Sequence, residues 1–314
     1  MSALERRRLG QTNLYPTRLA LGAAHMGGMV HAITVPEVRA TLQRMYDLGV
    51  RCLDTSPLYG NSQANLGKAM EGMDLPELLI STKVGSHPSR QFSYTAEDLR
   101  WSLDDSSRLL GRQKLDLVLI HDPPAMDPVM AAGDGFDTLE ALRDEGRLDA
   151  IGLGVRDLDF HRQAIDAGRV DVILTYADYS LVRQTAAPLI RHAKANGVGV
   201  ILGSPQLQGL LAHGDPMIAL KVRPNLTDLY PPEDIQAARD WYAWCRERQV
   251  DLRHLNMRFV LANDDIDVVL TGAASAYEME TNIREATSAI PEDVWAEALE
   301  RVAELDEQAG QVAV

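Results

Sequence analysis

Short apolar runs, rich in leucine and β-branched residues, recur along this chain. Each ends on a polar residue or a glycine, and each is followed by a longer amphipathic stretch. The runs occupy residues 18–22, 51–54, 78–83, 115–121, 150–154, 171–176, 198–203 and 267–271. A continuous apolar run of this length is the pattern of a strand buried on both faces. The stretches between them carry helix signals. Residues 34–48 open on Thr34-Val35-Pro36-Glu37, with proline where a first turn tolerates it, and close before Gly49. Thr95-Ala96-Glu97-Asp98 supplies a cap residue and early acids, 188–196 ends at Gly197, and 276–286 follows the last run. Strand alternating with helix implies a parallel sheet. Eight such units predict an α/β chain folded as a (β/α)8 TIM barrel. An open doubly wound sheet would usually carry G-x-G-x-x-G after its first strand, and Gly22-Ala23-Ala24-His25-Met26-Gly27-Gly28 does not match that spacing.

The 314 residues are then one barrel domain, 1–314, with additions. Residues 6–10 and 14–17, turned at Gln11-Thr12-Asn13, read as an N-terminal β-hairpin covering the barrel's N-terminal end. Residues 214–232 form a polar, proline-containing insertion after strand seven, on the active face. Residues beyond the last crossover helix read as a C-terminal helical extension.

Composition excludes several classes of partner. The formal net charge is −14, from 31 Lys+Arg against 45 Asp+Glu. Such a chain lacks the electrostatic footprint for nucleic acid or an anionic membrane surface. Two cysteines, Cys52 and Cys245, make neither a disulfide framework nor a cysteine-rich zinc site. No apolar run approaches the ~20 residues that span a bilayer. The basic N-terminus has no apolar segment after it, so a cytoplasmic protein is expected. No feature specifies an oligomeric state.

Barrel chemistry sits at the C-terminal ends of strands. Strand two ends in Asp54, strand three in Lys83 and strand four in His121, while Tyr59 lies on the loop after Asp54. Alone, each has a plainer reading: a helix cap, a solvated strand end, a turn before Asp122-Pro123-Pro124, surface packing. Together on three neighbouring strand ends they form a chemical set. A phenol with a pKa of about 10 is too weak an acid for work near neutrality. A nearby ammonium lowers that pKa, and a carboxylate keeps the ammonium charged. An imidazole can orient the substrate oxygen. The set is a proton donor and acceptor for a carbonyl–alcohol pair. It has no nucleophile–base pair and no metal-ligand cluster, so no metal is expected. It therefore needs a cofactor to carry hydride.

Leu53-Asp54-Thr55-Ser56-Pro57-Leu58-Tyr59-Gly60, Ser81-Thr82-Lys83-Val84 and Leu119-Ile120-His121-Asp122-Pro123 resemble the aldo-keto reductase superfamily. So do Arg8-Leu9-Gly10-Gln11-Thr12, Glu145-Gly146-Arg147-Leu148-Asp149-Ala150-Ile151-Gly152, Gly203-Ser204-Pro205 and Gln208-Gly209-Leu210-Leu211. The similarity runs from about residue 6 to residue 286. It implies a barrel binding an extended nicotinamide cofactor and a catalytic tetrad of Asp54, Tyr59, Lys83 and His121. Tyr59 would protonate the carbonyl oxygen in reduction and deprotonate the alcohol in oxidation. The pyrophosphate would lie at Ser204, Leu207, Gly209 and Leu210, and the adenine end at Gly272, Ser275, Glu278 and Asn282.

Departures from the family pattern refine the reading. Members preferring NADP usually carry a basic residue four before Asn282; here it is Glu278, whose carboxylate would repel a 2′-phosphate. NAD is therefore expected over NADP. Thr281 replaces a frequent Glu, which removes one adenine contact. Gly154-Val155-Arg156-Asp157 replaces a Ser-Asn pair that holds the carboxamide. Gly203 replaces the aromatic under the nicotinamide, with Tyr176 or Tyr179 as substitutes. His121-Asp122-Pro123 and Gly152-Leu153-Gly154-Val155 resemble the branch that oxidises free aldoses such as fucose, galactose or arabinose at C1 to lactones. His25, Asp122, Arg156 and Asp178 are the candidates for sugar hydroxyls. The alternatives are an NADPH-dependent reductase of aldehydes or ketones and a cofactor-binding regulatory subunit with little turnover. A lyase or hydrolase barrel would need paired or metal-binding carboxylates at strand ends, and none is present. An anionic dinucleotide on so acidic a chain must rely on backbone amides and a few placed cations.

Overall fold

The eight apolar runs become eight parallel strands. In the computed structural model, which describes residues 3–29, 31–212 and 214–312, these close into a barrel. The strands are β1 (Leu19–Gly22), β2 (Cys52–Asp54), β3 (Leu79–Val84), β4 (Leu115–His121), β5 (Leu148–Gly154), β6 (Val172–Tyr176), β7 (Gly199–Gly203) and β8 (Val268–Gly272). Neighbours in sequence are neighbours in the sheet, and β8 closes on β1 through the register Leu19–Val269 to Gly22–Gly272. Strand five begins two residues before the apolar run does. Asp149 interrupts the pattern because it stands at the open lower rim, where its carboxylate meets Lys114 at 2.5 Å.

Side chains alternate across each strand, and this divides the core in two. Ala20, Cys52, Leu117, Leu119, Ala150, Val172, Leu174, Ile201, Val268 and Leu270 fill the barrel interior. Leu19, Leu21, Leu53, Ile80, Val118, Ile120, Leu153, Ile173, Val200, Leu202 and Val269 face outward into a larger layer under the helices. A packed interior leaves no pore, so a ligand has access only at the strand ends.

The helices start where their caps stand. Before the helix Val35–Asp47, the Thr34 hydroxyl accepts from Glu37 N while Glu37 Oε2 accepts from Thr34 N at 2.7 Å, a reciprocal capping box. Thr95 caps Ala96–Leu110, and Asp157 caps Leu158–Asp166. The N-terminal hairpin is held by Arg7 N to Pro16 O and Leu9 N to Leu14 O, both at 3.0 Å. Leu9 and Leu14 join the interior cluster and so plug the barrel's N-terminal end. The insertion after β7 folds into two short helices, Pro216–Val222 and Leu226–Leu229, followed by Pro232–Glu247. The helix Glu292–Val312 forms the C-terminal extension. Among the described residues no helix is long and apolar enough to cross a membrane. Cys52 and Cys245 are both buried and unpaired.

Candidate active site

Strand periodicity explains which polar groups reach the mouth. Cys52 faces the interior, so Asp54, two residues on, does as well. Leu119 faces the interior, so His121 does. Lys83 ends the inward set of β3, after Leu79 and Ser81. The three side chains therefore form the top layer of the barrel filling. Lys83 Nζ lies 2.5 Å from Asp54 Oδ2 and donates to Thr55 O at 2.8 Å. The other Asp54 oxygen accepts from Ser81 Oγ at 2.9 Å. The pair is sealed: Lys83 is 1% exposed and Asp54 2%.

Tyr59 reaches this layer because its loop is tied to the turn after β1. Ser62 Oγ bonds Thr55 Oγ1 at 2.9 Å and Ala23 O at 2.8 Å, and Asn65 Nδ2 donates to Met26 O at 2.8 Å. Two glycines permit the approach. A Cβ on Gly27 would stand 1.6 Å from Tyr59 O, and Gly60 has φ +56° with no room for a side chain beside Gly27 O. The result puts Lys83 Nζ 4.8 Å from the Tyr59 ring centroid. The Tyr59 and His121 rings meet edge to face at 5.9 Å between centroids.

The electrostatics follow from burial. Burial opposes charge on Lys83, but the Asp54 carboxylate and then Tyr59 outweigh it and hold the ammonium above its ordinary value. Burial raises the Tyr59 phenol, and Lys83 pulls it down only in part. The lowering expected from Lys83 is present as an interaction yet loses to desolvation, so the phenol is a weaker acid than in water. Burial, with Lys83 adding to it, pushes His121 well below the ordinary imidazole value, so the ring is neutral near pH 7.

Two serines outside the predicted set orient that ring. Ser56 Oγ lies 3.1 Å and Ser86 Oγ 2.7 Å from His121 Nδ1. Ser56 Oγ already accepts from Leu58 N, so its proton is free for Nδ1. Asp122 Oδ2 stands 3.5 Å from Nε2. An acceptor on the Nε2 side and a donor on the Nδ1 side assign the proton to Nε2. His121 thus presents an N–H to the mouth.

The other rim candidates divide. Tyr176 ends β6 and donates to Asp122 Oδ1 at 3.1 Å. It pairs in register with Gly203, where a Cβ would come within 3.0 Å of Tyr176 Cβ. Tyr179 instead stacks on Phe259 at 5.6 Å between ring centroids. Asp178 is taken by the protein: it accepts from Arg183 Nε at 2.7 Å, Arg156 Nε at 3.1 Å and Thr185 Oγ1 at 3.3 Å. Arg156 also reaches Leu229 O at 3.5 Å, clasping the insertion to the rim. Asp157 is spent capping the next helix, so no Ser-Asn-like pair remains after β5.

The family model described as "Aldo/keto reductase family" matches residues 18–302, nearly the whole chain. The chain belongs to the aldo/keto reductase family. It is 30% identical to L-galactose dehydrogenase of Arabidopsis thaliana, over 91% of this chain and 89% of that protein. It is 29% identical to D-threo-aldose 1-dehydrogenase of a Pseudomonas species, over 90% of this chain and 93% of that protein. An aldo-keto reductase from Bacillus halodurans, solved in its holo form, superposes with a TM-score of 0.75 at 20% identity, covering 95% of this chain and 96% of its own.

Aldo/keto reductases use nicotinamide cofactors, and the groups that would hold one here stand after β7 and β8, beside this mouth. After β7 the backbone turns through positive φ at Ser204, Leu207, Gln208 and Gly209. Leu207 and Leu210 are fully buried, and the N–H groups of Leu207, Gly209 and Leu210 already donate to Ser204 O, Gln206 O and Leu207 O, so these expected amides are taken up by the turn itself. Across this turn lies Arg223, which the sequence reading did not single out. Its guanidinium donates to Gln208 O and, among the described residues, pairs with no carboxylate. The helix Ala276–Thr287 follows the C-terminal end of β8, its N-terminus capped by Ser275. Glu278 Oε2 accepts from Ala274 N at 2.7 Å, so a carboxylate already stands at that terminus. Asn282 is 6% exposed and bridges Arg253 Nη2 to Gly272 O. His25 lies against Gly272, and its buried Nδ1 has no hydrogen-bond partner among the described residues.

Proposed function

We propose that this aldo/keto reductase is an NAD-dependent dehydrogenase that oxidises a free aldose at C1 to its lactone. The observation that carries the reading is the sealed Lys83–Asp54 pair beneath Tyr59, with the neutral His121 facing it. That arrangement suits proton exchange at one oxygen and leaves the redox step to a bound nicotinamide, which supplies a hydride acceptor. His121 Nε2–H holds the C1 oxygen and sets its orientation. Tyr59, as phenolate, takes the proton of the anomeric hydroxyl. Lys83 stabilises the phenolate before it takes that proton, and Asp54 keeps Lys83 an ammonium. The C1–H bond breaks with its electron pair leaving as hydride, and the C1–O double bond of the lactone forms. In the reverse direction Tyr59 returns the proton.

Two features support a sugar and NAD over other choices. The two curated relatives act, by their names, on aldoses, and the rim carries Asp122 and Tyr176 where an apolar substrate would prefer apolar walls. Glu278 occupies the helix terminus that a 2′-phosphate would otherwise use. The test is a panel of free aldoses (L-galactose, L-fucose, D-arabinose) with NAD and with NADP, following appearance of reduced cofactor. Turnover with NAD supports the reading. Aldehyde reduction with NADPH that is much faster than any sugar oxidation with NAD overturns it.

A further inference from the structure

Asp122 follows His121 directly, and its backbone does something unusual there. Its φ is +40°, a left-handed conformation that Asp tolerates better than most side chains. Its N–H still bonds Gly154 O at 2.8 Å, which prolongs the β4–β5 ladder by one residue. The kink leaves the carboxylate at the mouth, between two site groups. Oδ1 accepts from Tyr176 at 3.1 Å, and Oδ2 lies 3.5 Å from His121 Nε2.

The two oxygens are not equally occupied. Oδ1 has a good hydrogen bond. Among the described residues Oδ2 has only the His121 contact, at the outer limit of hydrogen-bonding distance. The side chain is 38% exposed, so a ligand can reach it. A third polar group lies in its field. Tyr94 is 3% exposed, its hydroxyl has no partner among the described residues, and the Asp122 carboxylate is the charge that acts on it. Buried hydroxyls normally find partners. A carboxylate oxygen with room for a donor therefore stands beside the spot where His121 would hold the reacting oxygen.

We propose that Asp122, braced by Tyr176, accepts a hydrogen bond from the hydroxyl on the carbon next to the reacting carbon. The site then selects α-hydroxy carbonyl compounds and their cyclic hemiacetals. His121 Nε2 holds the oxygen of the reacting carbon, and Oδ2 stands just beyond it, where the neighbouring hydroxyl falls. A carboxylate accepts such a proton strongly, and it repels a substrate that offers none, because Oδ2 is then desolvated without a donor. The inference rests on Tyr59 and His121 holding the reacting oxygen. It does not require that the substrate be a sugar.

DL-Lactaldehyde and propionaldehyde differ by that one hydroxyl and test the proposal directly. The readout is the ratio of their kcat/KM values in reduction with NADH and with NADPH, for wild type, Asp122→Ala and Asp122→Asn. The ratio is internal, so a general loss of folding lowers both rates alike. Wild type should favour lactaldehyde by about 10-fold or more, and Asp122→Ala should bring the ratio below about 3. Asp122→Asn, nearly the same shape, should fall between. A wild-type ratio near one, a ratio unchanged in both variants, or reduction of neither aldehyde overturns the proposal. If the ratio collapses as expected but no free aldose is oxidised, the sugar reading fails and this one stands. If sugars are oxidised and the ratio survives Asp122→Ala, the reverse holds.

Discussion

Lys83 Nζ and Asp54 Oδ2 stand 2.5 Å apart with almost no solvent reaching either. Breaking such a pair from one side leaves a buried charge, which typically costs about 3–5 kcal/mol. Asp54→Asn and Lys83→Met should each lower stability on that scale in urea or thermal melts. The double variant Asp54→Leu with Lys83→Met should be less damaged than the sum of the two, because no charge is stranded. Activity should stay low in all three. A double variant whose loss equals the sum would show that the two groups do not act as a pair.

Tyr59→Phe should keep cofactor binding within a few-fold while turnover falls by ~10² or more, the scale of a general acid–base group. Full retention of turnover would remove Tyr59 from the mechanism.

The pH dependence follows from the same residue. Burial raises the Tyr59 phenol, whose ordinary value is about 10. Oxidation uses the deprotonated form, so the sign is clear: log kcat/KM for oxidation should climb with pH across neutrality with a slope of about one. Reduction uses the protonated form and should stay flat over that range. His121 is depressed well below its ordinary value, so it adds no limb between pH 6 and 8. A plateau in the oxidation profile at or below pH 8 would point to a different base.

Asp54, Lys83 and His121 were legible from sequence because two local rules coincide on them. Strand alternation fixes which face they occupy, and barrel geometry fixes which end is open. Tyr59 was legible only through its motif, since its position depends on Gly27 and Gly60 bringing two loops together. Ser86 escaped notice. It lies in a two-residue strand, Ser86–His87, beyond β3, where no periodicity marks it. Asp178 looked available as a polar residue after a strand. Arg183 and Arg156 claim it, one of them from 22 residues away. The direction of the Tyr59 shift was also hidden, because desolvation depends on the whole packed mouth and not on the one ammonium beside it.

Glu278→Arg tests cofactor choice at the start of the helix Ala276–Thr287. The wild-type carboxylate already accepts from Ala274 N, so the terminus carries a negative charge that would oppose a phosphate there. A guanidinium there could bind a 2′-phosphate bidentately. The ratio of kcat/KM with NADP to that with NAD should rise by about tenfold or more, the scale of a charge-assisted hydrogen bond. An unchanged ratio would mean that selectivity resides elsewhere.

Arg223 offers the complementary test, on the cation side of an acidic chain. Its guanidinium leans on Gln208 O with no carboxylate partner among the described residues, beside the turn where the diphosphate of a dinucleotide is expected. With a net charge of −14, the global field opposes an anionic ligand, and a local cation must offset it. Arg223→Gln should weaken ADP-ribose binding by about tenfold or more in calorimetry, since hydrogen bonds to charged groups carry ~1.5–3 kcal/mol. Adenosine, which has no phosphates, should bind both proteins equally. Wild-type affinity for ADP-ribose should fall with added salt, and the variant's should fall less steeply, because screening acts on the attraction that the substitution removes. Equal losses for ADP-ribose and adenosine would make Arg223 a structural tie between the insertion and the turn, with no role toward the diphosphate.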